Sequence, residues 1–365
     1  MVHRWLAEPL PREVAAALER LAAAPGVEHV AVMPDVHLAE HVCVGTVLGT
    51  VDRLYPQAVG GDIGCGMAAL RVDAPADLGL DESAAQELLR VLHREVPPLR
   101  RESPVANALG ALSDDNLGRR LRRDAAIEFG TLGRGNHFVE LQQDEHGALW
   151  LAVHSGSRAV GPAVRDHHLA RGEAVGKGLV ALAADGAGHD YRHDVEVAMA
   201  FADASRRELA RGAERALRAV FGCGLDWSTW FVTVHNSVRQ EVHDGRSLLV
   251  HRKGAAPAGV GEPGIVPGSM GTRTFHVAGR GVAAALASCA HGAGRRLPRG
   301  VAARRISPRE LCAQMQAVFF EARLAARLCD EAPTAYKDIG AVMRAQRELV
   351  RVVRTLRPVL AYKAV

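Results

Sequence analysis

The chain has 365 residues, enough for one large domain or two ordinary ones. With 48% hydrophobic and 24% charged residues it reads as a globular protein, and no run approaches the ~18 uninterrupted apolar positions of a membrane span. The 45 basic and 41 acidic residues leave a net charge of only +4, so no global field marks a nucleic-acid binder. The opening MVHRWLAEPLPREV lacks an apolar stretch and a small-residue cleavage site, so neither a secretory signal nor a transit peptide is expected and the expected compartment is the cytoplasm. A Pro-started, Ala/Leu-rich stretch from Pro11 to Ala23 predicts a helix, and His29 to Met33 and Val42 to Val51 predict strands. A strand near Met67 to Val72 follows the Gly-rich turn Gly60 to Gly66. Helical periodicity returns at Asp81 to Arg94 and around Leu117 to Ile127. Short apolar runs at Phe138 to Leu141, Ala148 to Val153, Trp230 to Val234, Ser247 to His251 and Thr274 to Ala278 predict strands. Longer helices are expected at Val160 to Ala184, His193 to Val220, Pro308 to Leu328 and Asp338 to Leu356. This order does not alternate strand and helix regularly, so the expected fold is α+β with an antiparallel or mixed sheet core. No repeat, low-complexity linker or composition shift divides the chain, and a single domain over residues 1–365 is expected.

The six cysteines contain no C-x-x-C pair, which fits neither a disulfide scaffold nor a zinc ribbon, so any cysteine with a role acts singly. Only four basic residues are lysine (Lys177, Lys253, Lys337 and Lys363), and a lysine kept in an arginine-rich chain points to a need for a compact ammonium. The arginine runs at 119–123 and 206–218 read as solvated helix faces. Two familiar motifs fail on context. Gly259 to Gly264 spells G-x-G-x-x-G but is followed by Ile265-Val266-Pro267, which cannot open a helix. Gly172 to Gly178 resembles a phosphate loop around Lys177, yet a spacer is missing and Gly178 stands where Ser or Thr should hold magnesium; a helix interior or turn is expected there.

The remaining polar oddities sit beside glycine in strand-like or turn-like segments, where the backbone either turns tightly or approaches a ligand. Asp62 and Cys65, three apart in Gly60-Gly61-Asp62-Ile63-Gly64-Cys65-Gly66, can converge on one cation from a single turn. His137, His154 and His235 each begin or end a predicted strand. A thiolate, a carboxylate and three imidazoles suffice for one or two divalent ions, with zinc, iron or manganese favoured over magnesium. Taken singly, each histidine could be a hydrogen-bonded structural residue, Cys65 a small buried hydrophobe and Asp62 a turn residue.

The segments MPDVH, GGDIGCGM, GRGNHFVE, HSGSR, VHN, RKGA, PGSMGT, HGAGR, EAPTAYKDI and LAYK resemble, in order, those of the RtcB family of RNA-splicing ligases, from about Val30 to Lys363. The resemblance implies an α+β fold with one deep, metal-containing cleft, two manganese ions, and GTP-dependent joining of an RNA 2′,3′-cyclic phosphate or 3′-phosphate to a 5′-hydroxyl. It makes Asp62, Cys65, His137, His154 and His235 the metal ligands, with Cys65 bridging. It assigns to the guanine nucleotide the stretch Asn136, His137, Phe138, Val139 and Glu140, then His235 and Asn236, the turn Pro267, Gly268, Ser269 and Met270, Thr274, the loop His291, Gly292, Ala293 and Gly294, and Lys363. His291 is the expected nucleophile, taking GMP covalently; His37 is its nearest rival. Arg158 and Arg295, each four residues after a key histidine, are expected on a basic lip for RNA. The sequence departs from the family at Gly61, Thr274-Phe275, Pro298 and the Ala-Val after Lys363. The implied partners are RNA, as tRNA halves or broken RNA, GTP, and the activator archease, with no membrane. A dinuclear metal phosphoesterase acting on RNA cyclic phosphates and an RNA-repair paralogue are the alternatives.

Overall fold

The computed structural model describes residues 1–74, 78–176 and 178–364. Its centre is a seven-stranded, wholly antiparallel sheet in the order Gly224–Val234, Gly66–Asp73, Leu149–Ser155, Phe138–Asp144, Val350–Tyr362, Thr274–Gly279 and Pro263–Pro267. A five-stranded sheet lies beside it in the order Val2–Arg4, Val27–His37, Val44–Thr50, Arg246–Lys253 and Asn236–His243, with one parallel pair at the Val2–Arg4 edge. The mixed α+β expectation therefore holds. The strands Gly224–Val234 and Asn236–His243 belong to different sheets and are separated by one residue, so the chain crosses between sheets at His235.

Helices form where an apolar face can be buried and a cap is available. Asp81 and Asp114 accept hydrogen bonds from the backbone N–H of Ala84 and Leu117 and so start Glu82–Glu95 and Asp115–Glu128. The 35-residue helix Ala187–Phe221 ends at Gly222 in the left-handed conformation. Its apolar stripe, with that of Glu82–Glu95, covers one face of the seven-stranded sheet and forms the largest core around Leu70, Leu151, Leu209 and Leu360.

Three predicted helices are shorter than expected. Val160–Leu169 stops, and a hairpin of Glu173–Gly176 and Leu179–Ala183 takes the rest; glycines 172, 176 and 178 interrupt the helix, and Lys177 itself lies outside the described residues. The phosphate-loop lookalike is thus hairpin, where a helix interior or turn was expected. Pro308–Gln314, begun by a Ser307/Glu310 capping box, ends well before Leu328, because Phe319 leaves the helix to bridge Leu360. Ile339–Ala345 likewise ends early, and Val350–Tyr362 is a 13-residue internal strand. Its apolar residues at 350, 353, 356 and 360 mimic a helical stripe, but Pro358 cannot continue a helix and sits at a register irregularity of the sheet.

Leu360 has no solvent exposure. Leu360→Ala should lower unfolding free energy by roughly 2–5 kcal/mol, whereas Val353→Ala, on the exposed part of the same strand, should change it by less than about 1 kcal/mol. Urea denaturation of the two variants measures both.

Candidate metal centre and nucleotide cavity

Asp62 and Cys65 share one turn, closed by the Cys65 N–H donating to the Asp62 carbonyl at 3.1 Å. His154 lies one residue from the end of its strand, opposite Met67 on one side and Phe138 on the other. His137 precedes Phe138–Asp144, and the His235 N–H donates to the Cys65 carbonyl at 2.9 Å. A Cβ at Gly156 would overlap the Asp62 carboxylate, so only glycine leaves that carboxylate room to face the histidines.

The five side chains meet through their donor atoms. Cys65 Sγ lies 3.5 Å from His137 Nε2 and 3.3 Å from His154 Nε2; His154 Nε2 lies 3.3 Å from His235 Nε2, and His137 Nε2 lies 3.0 Å from Asp62 Oδ2. Two backbone carbonyls fix the tautomers. His137 Nδ1–H donates to the Leu132 carbonyl at 3.0 Å and His154 Nδ1–H to the Asn136 carbonyl at 3.1 Å, which turns both Nε2 atoms toward the sulfur. Two overlapping groups result, Cys65–His154–His235 and Asp62–Cys65–His137, with Cys65 common to both. Burial, then the Asp62 charge, pushes the Cys65 thiol well above its ordinary value. Burial, then neighbouring cationic groups, pushes His154 and His235 well below theirs. Burial would raise the Asp62 carboxyl, but the hydrogen bond and charge of His137 hold it down. Three imidazoles, a thiol and a carboxylate with converging donor atoms are a set suited to divalent cations, and a cation would deprotonate the thiol.

His291 stands beside this group, its ring centroid 4.8 Å from that of His235. Its Nδ1–H donates to Asp35 Oδ2 at 2.6 Å and its backbone N–H to the same oxygen at 3.2 Å, so Nε2 is left as the free lone pair. Asp35 has no solvent exposure, and Lys337 Nζ anchors the strand on both sides of it by donating to the Val36 and Pro34 carbonyls at 2.6 and 3.3 Å. A Cβ at Gly294, whose φ is +71°, would collide with the Asp35 backbone, so the loop docks only as glycine. His37 is turned away from this role: its Nδ1 is held by the Asp35 carbonyl at 3.0 Å, and burial lowers its pKa to about 4.

Between His154 and Lys363 lies a cavity walled by Asn136, Phe138, Glu140, Pro267 to Met270, His291 to Gly294, Glu331 and Tyr336. Lys363 is buried at its rim, its Nζ 2.8 Å from Glu331 Oε2. Burial would raise Glu331, but Lys363, Arg299 and Arg295 hold it down at about 2. Glu140 has no such cation in contact, and burial raises it to about 7; Gln142 donates to it at 2.8 Å. Five residues assigned to the nucleotide, His137, Val139, His235, Asn236 and Thr274, do not line the cavity. Val139 points into the main core, Thr274 is buried as an acceptor for Gln142, and Asn236 braces the Asp62 turn through the Asp62 carbonyl and the Gly254 N–H. His137 and His235 face the donor group instead. The sequence assigns no specific role to Asp35, Glu331 or Tyr336, although they lie in MPDVH and EAPTAYKDI; Lys337, in the second of these, is one of the four lysines kept in an arginine-rich chain.

Arg295 is not on an exposed lip. It is 12% exposed and donates to the Asp330 carbonyl, Glu331 and Tyr336 Oη, bracing two residues of the cavity wall from behind. Arg158, at φ +55°, donates to Thr131 Oγ1 at 3.2 Å and has no ion-pair partner among the described residues. Arg206 corrects the reading of its run as a solvated face, since it is fully buried.

A family profile described as tRNA-splicing ligase RtcB matches residues 17–117 and 104–364. The chain belongs to the RtcB family. Among its relatives, RNA-splicing ligase RtcB of Escherichia coli strain K12 is 35% identical over 372 residues, covering 92% of this chain and 90% of the relative. RNA-splicing ligase RtcB1 of a second Escherichia coli strain is 36% identical with the same coverage. tRNA-splicing ligase RtcB of Archaeoglobus fulgidus is 26% identical over 426 residues, covering 92% and 87%. This RtcB chain thus aligns over nearly its whole length, through both sheets.

A buried carboxyl raised to about 7 binds a proton in the folded state that it has lost in the unfolded state above pH 4.5. Folding stability from Glu140 is therefore full below pH 4.5 and declines as pH rises through 7. Glu140→Gln should flatten that decline by on the order of 3 kcal/mol at pH 7. Denaturation of metal-free protein from pH 4.5 to 8 measures it; parallel profiles for wild type and variant would contradict the burial argument.

Proposed function

We propose that this chain is a GTP- and manganese-dependent RNA ligase that joins a 2′,3′-cyclic phosphate or 3′-phosphate end to a 5′-hydroxyl end, acting as one catalytic unit over residues 1–365. The observation that carries this reading is His291, held by Asp35 beside the donor group and opening onto a cavity with a buried carboxylate. A hydrolase using the same cations has no need of such a histidine. Asp62, Cys65, His137, His154 and His235 would hold two manganese ions in a deep cleft between the sheets. When bound, these supply charge neutralisation for the phosphoryl oxygens.

The protein's own groups then act in order. Glu140 accepts the N1–H and 2-amino hydrogens of guanine, a pairing that adenine cannot supply. Lys363 donates to the base or its ribose, and the glycine-rich turns at 267–270 and 291–294 offer backbone N–H groups to phosphate. His291 Nε2 attacks the α-phosphorus of GTP; the bond to the bridging oxygen breaks and pyrophosphate leaves. Asp35 accepts from Nδ1–H throughout, orienting the ring and stabilising the charge it gains on attack. A 2′,3′-cyclic end is first opened by water, which breaks the bond from phosphorus to O2′ and leaves a 3′-phosphate; the GMP then passes from Nε2 to an oxygen of that 3′-phosphate. A 5′-hydroxyl then attacks that 3′-phosphorus, forming the phosphodiester and releasing GMP. Arg158, which has no ion-pair partner among the described residues, would take an RNA phosphate. A thiolate at the centre favours a reducing compartment, in keeping with the cytoplasm.

Incubation with α-labelled GTP and manganese should leave acid-labile GMP on the wild-type protein. His291→Ala should lose both labelling and joining from GTP, yet still seal RNA that already carries a 3′-guanylate. Label persisting in that variant would overturn the assignment. Cys65→Ala should fold but lose nucleotide transfer by more than about 100-fold. Arg158→Ala should weaken RNA binding and reduce its salt dependence by about one counterion; an unchanged salt slope would move the RNA path elsewhere.

A further inference from the structure

The long helix Ala187–Phe221 packs Met199 and Ala202 against Gly64 and hydrogen-bonds to the donor group's supports through Arg206, which has no solvent exposure. Its Nη1 donates to two carbonyls, Gly64 O at 2.7 Å and Ser155 O at 2.9 Å. Gly64 immediately precedes Cys65, and Ser155 immediately follows His154. The two carbonyls come from different chain segments that meet at the end of the sheet, where Gly66 pairs with Ser155. One nitrogen therefore spans the segment that delivers Asp62 and Cys65 and the segment that delivers His154.

Burying a guanidinium is costly unless it is paired and fully hydrogen-bonded. Arg206 is neither. Its one ion-pair contact among the described residues is Asp203 at 3.8 Å, and Nε and Nη2 have no hydrogen-bond partner there. A leucine or methionine would fill the same space without that cost, so the value of arginine lies in the charge-assisted grip on the two carbonyls. We propose that Arg206 is a positioning residue of the metal centre, its Nη1 holding the Cys65 turn and the His154 strand end at the separation that lets Cys65 Sγ and His154 Nε2 share one cation. The proposal rests on the metal-ligand reading of those side chains.

The test compares wild type, Arg206→Met, Arg206→Lys and Cys65→Ala as full-length chains, by calorimetric titration with Mn2+ and by thermal unfolding in chelator. Wild type should bind Mn2+ and Cys65→Ala should lose that binding. Arg206→Met should keep a cooperative unfolding transition in chelator yet bind Mn2+ roughly 10- to 100-fold more weakly. Arg206→Lys, which keeps a charged donor on a shorter reach, should recover part of the loss but remain at least about threefold weaker than wild type. Wild-type Mn2+ affinity in Arg206→Met overturns the positioning role alone. If Arg206→Met does not fold, wild-type affinity in Arg206→Lys overturns it equally. Equal Mn2+ uptake by wild type and Cys65→Ala would overturn the metal-centre reading, and the proposal with it.

Discussion

Three imidazole nitrogens, a sulfur and a carboxylate oxygen are held face to face with 3.0–3.5 Å between neighbours, linked by hydrogen bonds in a buried pocket. No single element could hold them so. The turn at Asp62–Cys65, two adjacent strand ends and the crossover between the sheets each bring one or two donors, and the surrounding hydrogen bonds are spent on keeping them there. The Leu132 and Asn136 carbonyls set two ring tautomers; the Asn236 amide ties the Asp62 carbonyl to the five-stranded sheet through Gly254. This concentration of backbone bonds around polar side chains is what pre-organisation for a cation requires.

A second layer of order places His291. Asp35 lies fully buried in the five-stranded sheet, and its carboxylate is gripped by the His291 side chain and backbone together, while Lys337 fixes the strand around it. The same cavity contains two carboxylates with opposite behaviour. Glu331, ion-paired with Lys363, Arg295 and Arg299, stays ionised at any ordinary pH, whereas Glu140, whose burial outweighs the pull of the nearby Lys363, sits near neutrality. Environment, and not residue type, makes one a structural anchor and leaves the other able to respond to a ligand that donates to it.

Much of this was legible in the sequence because the donor residues sit in glycine-flanked segments whose chemistry is unusual wherever it occurs. Asp62 and Cys65 share one turn, and His137, His154 and His235 come from three distant segments that the fold brings to the same point at or beside the expected strand ends. The C-terminal strand was not legible, because its apolar positions fit a helical stripe as well as a strand, and only pairing on both edges decides between them. Arg206 was hidden for a related reason. In sequence it belongs to an arginine-rich helical face, and its burial depends on strand ends that lie some 50 and 140 residues earlier. Val139 illustrates a smaller lesson: within the motif GRGNHFVE, strand alternation sends Phe138 and Glu140 to the cavity and Val139 to the core.

The central claim is that Cys65 is the shared ligand of a cation pair rather than a buried thiol among histidines. X-ray absorption at the manganese edge, on protein loaded with two equivalents of Mn2+, tests it most directly. The account predicts a sulfur shell together with imidazole nitrogens around the metal, and loss of the sulfur shell in Cys65→Ser. A spectrum fitted by oxygen and nitrogen alone in the wild-type protein would contradict it.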